Sequence, residues 1–318
     1  MVRPFKKDID FLSKRRIFFI VSLVLMVISL IALPLRGLNF GIEFVGGTSI
    51  AFSNTGEITT EQMRSAVEAA GGETPIVQST SDAGGSNGFI VRVAITDAAE
   101  ASKLGDEVVS ALSLSDNSAE VTTIGAAWGD EVTRTSLIAF AVALALIIIY
   151  IAIRFEYKMG VVAVIALLHD LLIIIGVYAV FGREVTPNVI AALLTIMGYS
   201  LYDTVVVFHR INDNVATTAH HSFITVANHS INQVFIRTFN TTLTSLVPVV
   251  AMLFFGGETL KDFAFAMTIG LVLGAYSSIG IASPLYALWK QREPKYKKLY
   301  EKYGEGVGTF TTAENLQD

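Results

Sequence analysis

Residues 17–35, IFFIVSLVLMVISLIALPL, form an apolar run broken only by two serines and a proline. About 20 such residues cross a bilayer's hydrocarbon core. Lys14, Arg15 and Arg16 stand before the run and hold its amino end in the cytoplasm. A cleaved signal peptide is the competing reading. No small-residue cleavage site follows, and the run is long for a signal core, so it reads as a retained helix. Five more apolar runs lie at about 133–153, 159–181, 188–208, 239–255 and 263–289. The connection RFEYK and the tail KQREPKYKKLYEKYG are basic, whereas GREVTPN and GGETLKD are not. Alternating these predicts six transmembrane helices with both chain ends in the cytoplasm.

Residues 37–129 follow a different pattern. GIEFVGGTSIAFS has strand character, with Gly46-Gly47 as a bulge or kink. TTEQMRSAVEAAGG predicts a helix with a threonine cap, Met63, Val67 and Ala70 on one face, and a glycine stop. TPIVQSTSD and GFIVRVAI predict strands around the turn AGGSNG. DAAEASKLGDEVVSALS predicts a second helix capped by Asp97, and AEVTTIGAAWG a last strand. The order β-α-β-β-α-β is the split, ferredoxin-like arrangement. Since it follows an in-to-out helix, it belongs outside the cytoplasm. The expected organisation is a cytoplasmic amino terminus (1–16), helix 1 (17–35), a periplasmic ferredoxin-like α+β domain (36–131), helices 2–6 (132–290) and a cytoplasmic tail (291–318).

Composition agrees. The 318 residues are 52% hydrophobic and 16% charged, against about 25% charged in soluble domains, and mean hydropathy is +0.57. The net charge of −5 averages two unlike blocks: 37–131 carries fourteen acidic and three basic residues, a net of −11, and the remainder carries +6. There is no cysteine, which excludes disulfides, thiol catalysis and cysteine metal sites. The soluble block has no histidine either and no nucleophile–base set, so an enzyme is the least favoured class.

Three places put charge in or beside the apolar runs: His169 and Asp170 in LLHDLLIIIG, Asp203 in GYSLYDTVVVF, and Arg237 where a polar segment meets the fifth run. A charged carboxylate at mid-bilayer costs about 2.5–3.5 kcal/mol on insertion scales, and such residues are functional by default. The plainer reading of Asp203 is a buried ion pair with Arg237 that only fixes packing. Arg237 alone also fits snorkelling near a helix end. His169–Asp170 fits a packing hydrogen bond as well as a relay. Arg237, Thr241, Thr244, Ser245 and Pro248 share one helical face, which should point into the bundle or a wet cavity. Gly270, Gly274, Ser278 and Ala282 form a ridge for close helix packing. His220, His221 and His229 read as solvated loop histidines rather than a metal site.

Taken in order, GLNFGIEFVGGT, LLHDLLIIIG, GYSLYDTVVVFHRIND, NQVFIRTFNTTLTSL and FGGETLKDFAFAMTIGLVLGAYSSI resemble the SecF family of the bacterial SecD–SecF protein-export complex. The resemblance covers nearly the whole chain. It implies a place in the inner membrane beside the SecYEG channel, a SecD-like partner, an unfolded polypeptide as cargo, lipid contact and no nucleic acid. It implies use of the proton-motive force without a cofactor, H⁺ being the expected ion and Na⁺ the alternative. It places the family's essential aspartate on Asp203 and its arginine on Arg237. Two departures stand out: Leu201-Tyr202 replaces the usual Ile-Asn, and His209 replaces an acid, which puts any role for a second acid in doubt. A half-transporter of the related resistance-nodulation-division type and a non-catalytic assembly subunit remain the other readings.

Overall fold

A computed structural model of the chain describes residues 8–81, 87–115, 118–217 and 221–304. The predicted 83–88 turn falls largely, and His220 wholly, outside these residues, as do 1–7 and 305–318 of the predicted cytoplasmic ends. In chain order the elements are α1 (Arg15–Arg36), β1 (Asn39–Phe40), α2 (Ile42–Val45), β2 (Gly47–Phe52), α3 (Thr60–Ala69), β3 (Ile76–Ser81), β4 (Asn87–Val93), α4 (Ala98–Ala111) and β5 (Ala119–Ile124). There follow α5 (Ala126–Arg154), α6 (Tyr157–Phe181), β6 (Glu184–Val185), α7 (Pro187–Thr217), α8 (Phe223–Phe255) and α9 (Glu258–Ser277). A π-helical turn (Ser278–Ala282) joins α9 to α10 (Ser283–Gln291), and α11 (Pro294–Tyr303) ends the described chain.

Among the described residues six segments are long and apolar enough to cross a membrane: α1, α5, α6, α7, α8 and the continuous run from α9 to α10. Helices α6, α7 and α9–α10 form the buried centre, while α1, α5 and α8 lie around it and expose most of their apolar residues. Leu137, Ile138, Val142, Leu146 and Ile149 of α5 are all more than half exposed or nearly so. Such rows suit lipid, which asks for the apolar surface that water would penalise.

Ser29 of α1 seats against Gly176 of α6. A Cβ on Gly176 would lie 2.6 Å from the Ser29 Cα. Gly176→Ala must therefore push two helices apart, and overpacking of this kind costs about 1–3 kcal/mol. The expected result is a lowered midpoint of thermal unfolding in detergent. An unchanged midpoint would show that α1 is free to slide.

The soluble domain has strand order β3-β4-β2-β5, all antiparallel. This is the expected split βαβ arrangement. Helices α3 and α4 cover one face, burying Met63, Val67, Leu104 and Val108 against Ile50, Phe52 and Val91. Both predicted caps form: Thr59 and Gln62 make a capping box, and Asp97 accepts from the Ala99 and Glu100 amides. Predicted strand character in GIEFVGG is corrected, because Ile42–Val45 form one helical turn. The turn leaves through Gly46 and Gly47, at φ +74° and +122°, and a Cβ on Gly47 would sit 2.8 Å from the Val93 carbonyl oxygen. Only glycine meets both demands.

A short parallel ribbon, Asn39–Phe40 beside Glu184–Val185, ties the domain to the α6–α7 connection. The polar stretch after His209, which lies outside the predicted apolar runs, is largely helical: α7 runs to Thr217 and α8 begins at Phe223. Ser222 caps α8 by accepting from the Thr225 amide. Phe223, Ile224, Ala227 and Ile231 then bury one stripe at helical spacing against Phe208 and Tyr286. That stripe was too diluted by polar residues to register as an apolar run.

Candidate functional site

Asp203 projects from α7 and is 9% exposed. Among the described residues no ion pair joins it to Arg237 and no side chain donates a hydrogen bond to it. Arg237 instead donates from Nη2 to the Tyr202 hydroxyl at 2.8 Å. Tyr202, one of the departures from the usual pattern, is therefore what holds the guanidinium near Asp203. The Arg237 face does not look into this chain's bundle. Arg237, Asn240, Thr244 and Pro248 are exposed, and Thr241 and Ser245 half-buried. Tyr199 and Tyr202 of α7 are exposed with them. Arg237 also lines a cavity of about 360 Å³ with Val206, His209, Arg210, Asp213 and Gln233. The cavity runs towards the α7–α8 connection, and Thr241, Thr244, Ser245 and Pro248 do not line it.

His169 and Asp170 sit apart from this site. Asp170 is 0% exposed and joins three helices. Its Oδ2 accepts from Ser200 of α7 at 2.6 Å and from Ser277 of α9 at 2.7 Å, and its Oδ1 lies 2.9 Å from His169 Nδ1. Sequence reasoning missed both serines. The only signals were GYS and GAYSS inside apolar runs, with nothing to say that they converge.

The ridge of small residues on α9 packs within this chain. A Cβ on Gly274 would lie 3.1 Å from the Ser200 Cβ, one on Gly270 would collide with Ile196, and Ser278 Oγ is 2.9 Å from Thr204 Oγ1. Ala282 is fully buried. His229 corrects the solvated-loop reading. It is 2% exposed, with Nδ1 at 2.6 Å from Asp8 Oδ2 and Nε2 at 2.8 Å from Gln233. Gln233 in turn accepts from Arg210 and Asn214. Among the described residues no group of three His, Asp or Glu side chains is placed to hold a metal ion.

A family model described as protein export membrane protein SecD/SecF, C-terminal, matches residues 106–292, and the SecD/SecF GG motif matches residues 31–51. The chain belongs to the SecD/SecF family. The SecF translocase subunit of Streptomyces coelicolor is 34% identical over 97% of this chain and 85% of its own length. That of Petrotoga mobilis is 33% identical over 92% and 99%. The crystal structure of SecDF from Thermus thermophilus, described as translocon-associated, superposes with a TM-score of 0.81 at 33% identity. The match covers 90% of this chain and 39% of that longer one. The chain thus has the SecF place in the family: a multi-pass membrane subunit of the protein translocase accessory complex, not an enzyme. In SecDF of T. thermophilus and Bacillus subtilis the matching part is one portion of a single longer chain.

Proposed function

We propose that the chain uses a transmembrane ion gradient to promote protein export, with Asp203 as the proton carrier. The observation that carries this is a carboxylate buried in a spanning helix, with its nearest cation, Arg237, held one residue away on a face turned out of the bundle. A buried carboxylate without a hydrogen-bond donor is costly when charged and is relieved by a proton. One proton crossing 100 mV releases about 2.3 kcal/mol, enough to bias two conformations separated by a few kcal/mol. The exposed face of α7 and α8 supports a second helical half as partner. A SecD-like subunit with its own transmembrane carboxylate fits, because coupling sites in two-halved transporters lie between the halves. The translocating polypeptide and the SecYEG channel complete the assembly, in the bacterial inner membrane.

The test is export through reconstituted SecYEG with a SecD-like subunit, with and without this chain. Collapsing the proton gradient should remove the increment that the chain adds, while collapsing a sodium gradient should not. The reverse would make Na⁺ the ion; an increment insensitive to both would leave an assembly role alone. The topology has its own check in the cysteine-free background. A cysteine at Ser53 should react with an impermeant thiol reagent in spheroplasts, and one at Ala216 only after lysis. The opposite pattern would invert the orientation.

A further inference from the structure

Arg92 is an oddity of the soluble domain. It lies on β4, in the middle of the sheet and on the face away from α3 and α4, yet it is 5% exposed. What buries it is the membrane block. Its Nη2 is 2.8 Å from Glu184 Oε2 on β6, and its Nη1 donates to Asn39 Oδ1 at 3.2 Å. A second carboxylate crowds the same point. A Cβ on Gly41 would collide with Glu43 Oε2 and lie 2.9 Å from Glu184 Oε1. Glu43 Oε2 is buried and has no hydrogen-bond partner among the described residues. Two carboxylates therefore crowd together where the soluble domain meets the bundle, one of them paired with Arg92, the other with a buried oxygen that lacks a donor. Buried orphan acceptors of this kind are rare and call for an explanation.

We propose that Glu184 and Glu43 form a proton-binding site, and that a proton held there fastens the soluble domain onto the membrane block through Arg92. Neutral Glu184 keeps one oxygen for Arg92 and gives its hydroxyl to the side on which Glu43 crowds it. Both residues line an open cavity of about 850 Å³ between the polar sheet face (Ser49, Gln78, Thr80, Thr122) and the bundle mouth, which gives protons a route to the pair. The other charges nearby are Arg183 and Asp262, paired with each other at 3.3 Å, and Lys261 in the cavity wall.

The electrostatics agree in sign. Burial first, with Glu43 and Asp262 adding repulsion and Arg92 opposing, pushes Glu184 from 4.5 up to about 7. In a separated domain Glu184 would be hydrated and return to the ordinary carboxylate range. A proton thus binds the fastened state more tightly, so acid tightens the contact and rising pH loosens it. Across that window the fastened-to-separated ratio falls about ten-fold per pH unit, roughly 300-fold in all. The site lies outside the membrane spans and does not depend on the role proposed for Asp203.

Spin labels on the full-length chain in lipid nanodiscs test this, placed at Ser65→Cys on α3 and Leu260→Cys on α9. The expected distance distribution is single and narrow at pH 5, and broad and longer at pH 8, with the change falling between about 4.5 and 7 and none above. Glu184→Gln, a permanent mimic of the protonated form, should stay narrow throughout. Glu43→Gln removes the repulsion from the charged fastened state and should leave the domain more fully fastened at pH 8 than in the native chain, a gain that a merely misfolded variant does not produce. Asp203→Asn should leave the response intact, which separates failure here from failure of the carrier reading. A wild-type distribution constant from pH 5 to 9, or a wild-type response in Glu184→Gln, overturns the proposal.

Discussion

Asp203→Asn is expected to abolish the gradient-driven increment of export while the chain accumulates and assembles at normal levels. The amide has the carboxylate's shape and removes only the titratable group. A charge in hydrocarbon costs about 2.5–3.5 kcal/mol, so the variant should be no less stable than the native chain. The energy withdrawn is that of one proton per cycle, about 2.3 kcal/mol at 100 mV, or roughly a 50-fold bias between conformations. Export should fall to the level seen with the gradient collapsed, and collapse should then change nothing further. Arg237→Leu removes the cation and its bond to the Tyr202 hydroxyl, and should impair export in the same assay. Export by Asp203→Asn that still responds to the proton gradient, at equal abundance, would remove Asp203 from the mechanism.

The spans were legible because lipid selects for long uninterrupted apolar runs, and that is a one-dimensional signal. All six predicted runs fall within the six spanning segments. The soluble domain was legible for a related reason: its caps and strand alternation are local, so Thr59 and Asp97 announced α3 and α4. The site residues were visible as charges out of place, but their partners were not. Ser277 meets Asp170 from 107 positions away, and Asp8 meets His229 from 221. No spacing rule reaches that far. The sequence offered Arg237 as the partner of Asp203, yet Tyr202 holds it, since a phenol one residue along α7 reaches the guanidinium. Nothing in GFIVRVAI marks Arg92 as buried, because its burial comes from another part of the chain. Glu184 sits in a five-residue connection that carries no pattern at all.

Asp170 gives the sharpest division between folding and function. Its carboxylate is fully enclosed and binds side chains from α6, α7 and α9 at 2.6–2.9 Å. Asp170→Ala leaves the Ser200 hydroxyl and the His169 ring without their acceptor. Ser277 alone keeps another, the Gly274 carbonyl at 3.3 Å. The two orphaned buried groups cost about 1–3 kcal/mol each, so the loss should total about 2–6 kcal/mol. In a chain of this size that lowers the unfolding midpoint by roughly 4–24 °C. Asp170→Asn should recover most of it, because the amide oxygen still accepts and its nitrogen donates to a serine oxygen. The two variants together separate the roles that the sequence left open. If Asp170 binds three helices and does nothing else, the Ala variant fails by instability and the Asn variant exports normally. A stable Asp170→Asn chain that inserts and assembles but has lost its gradient response would instead put Asp170, with His169, on the path of the proton.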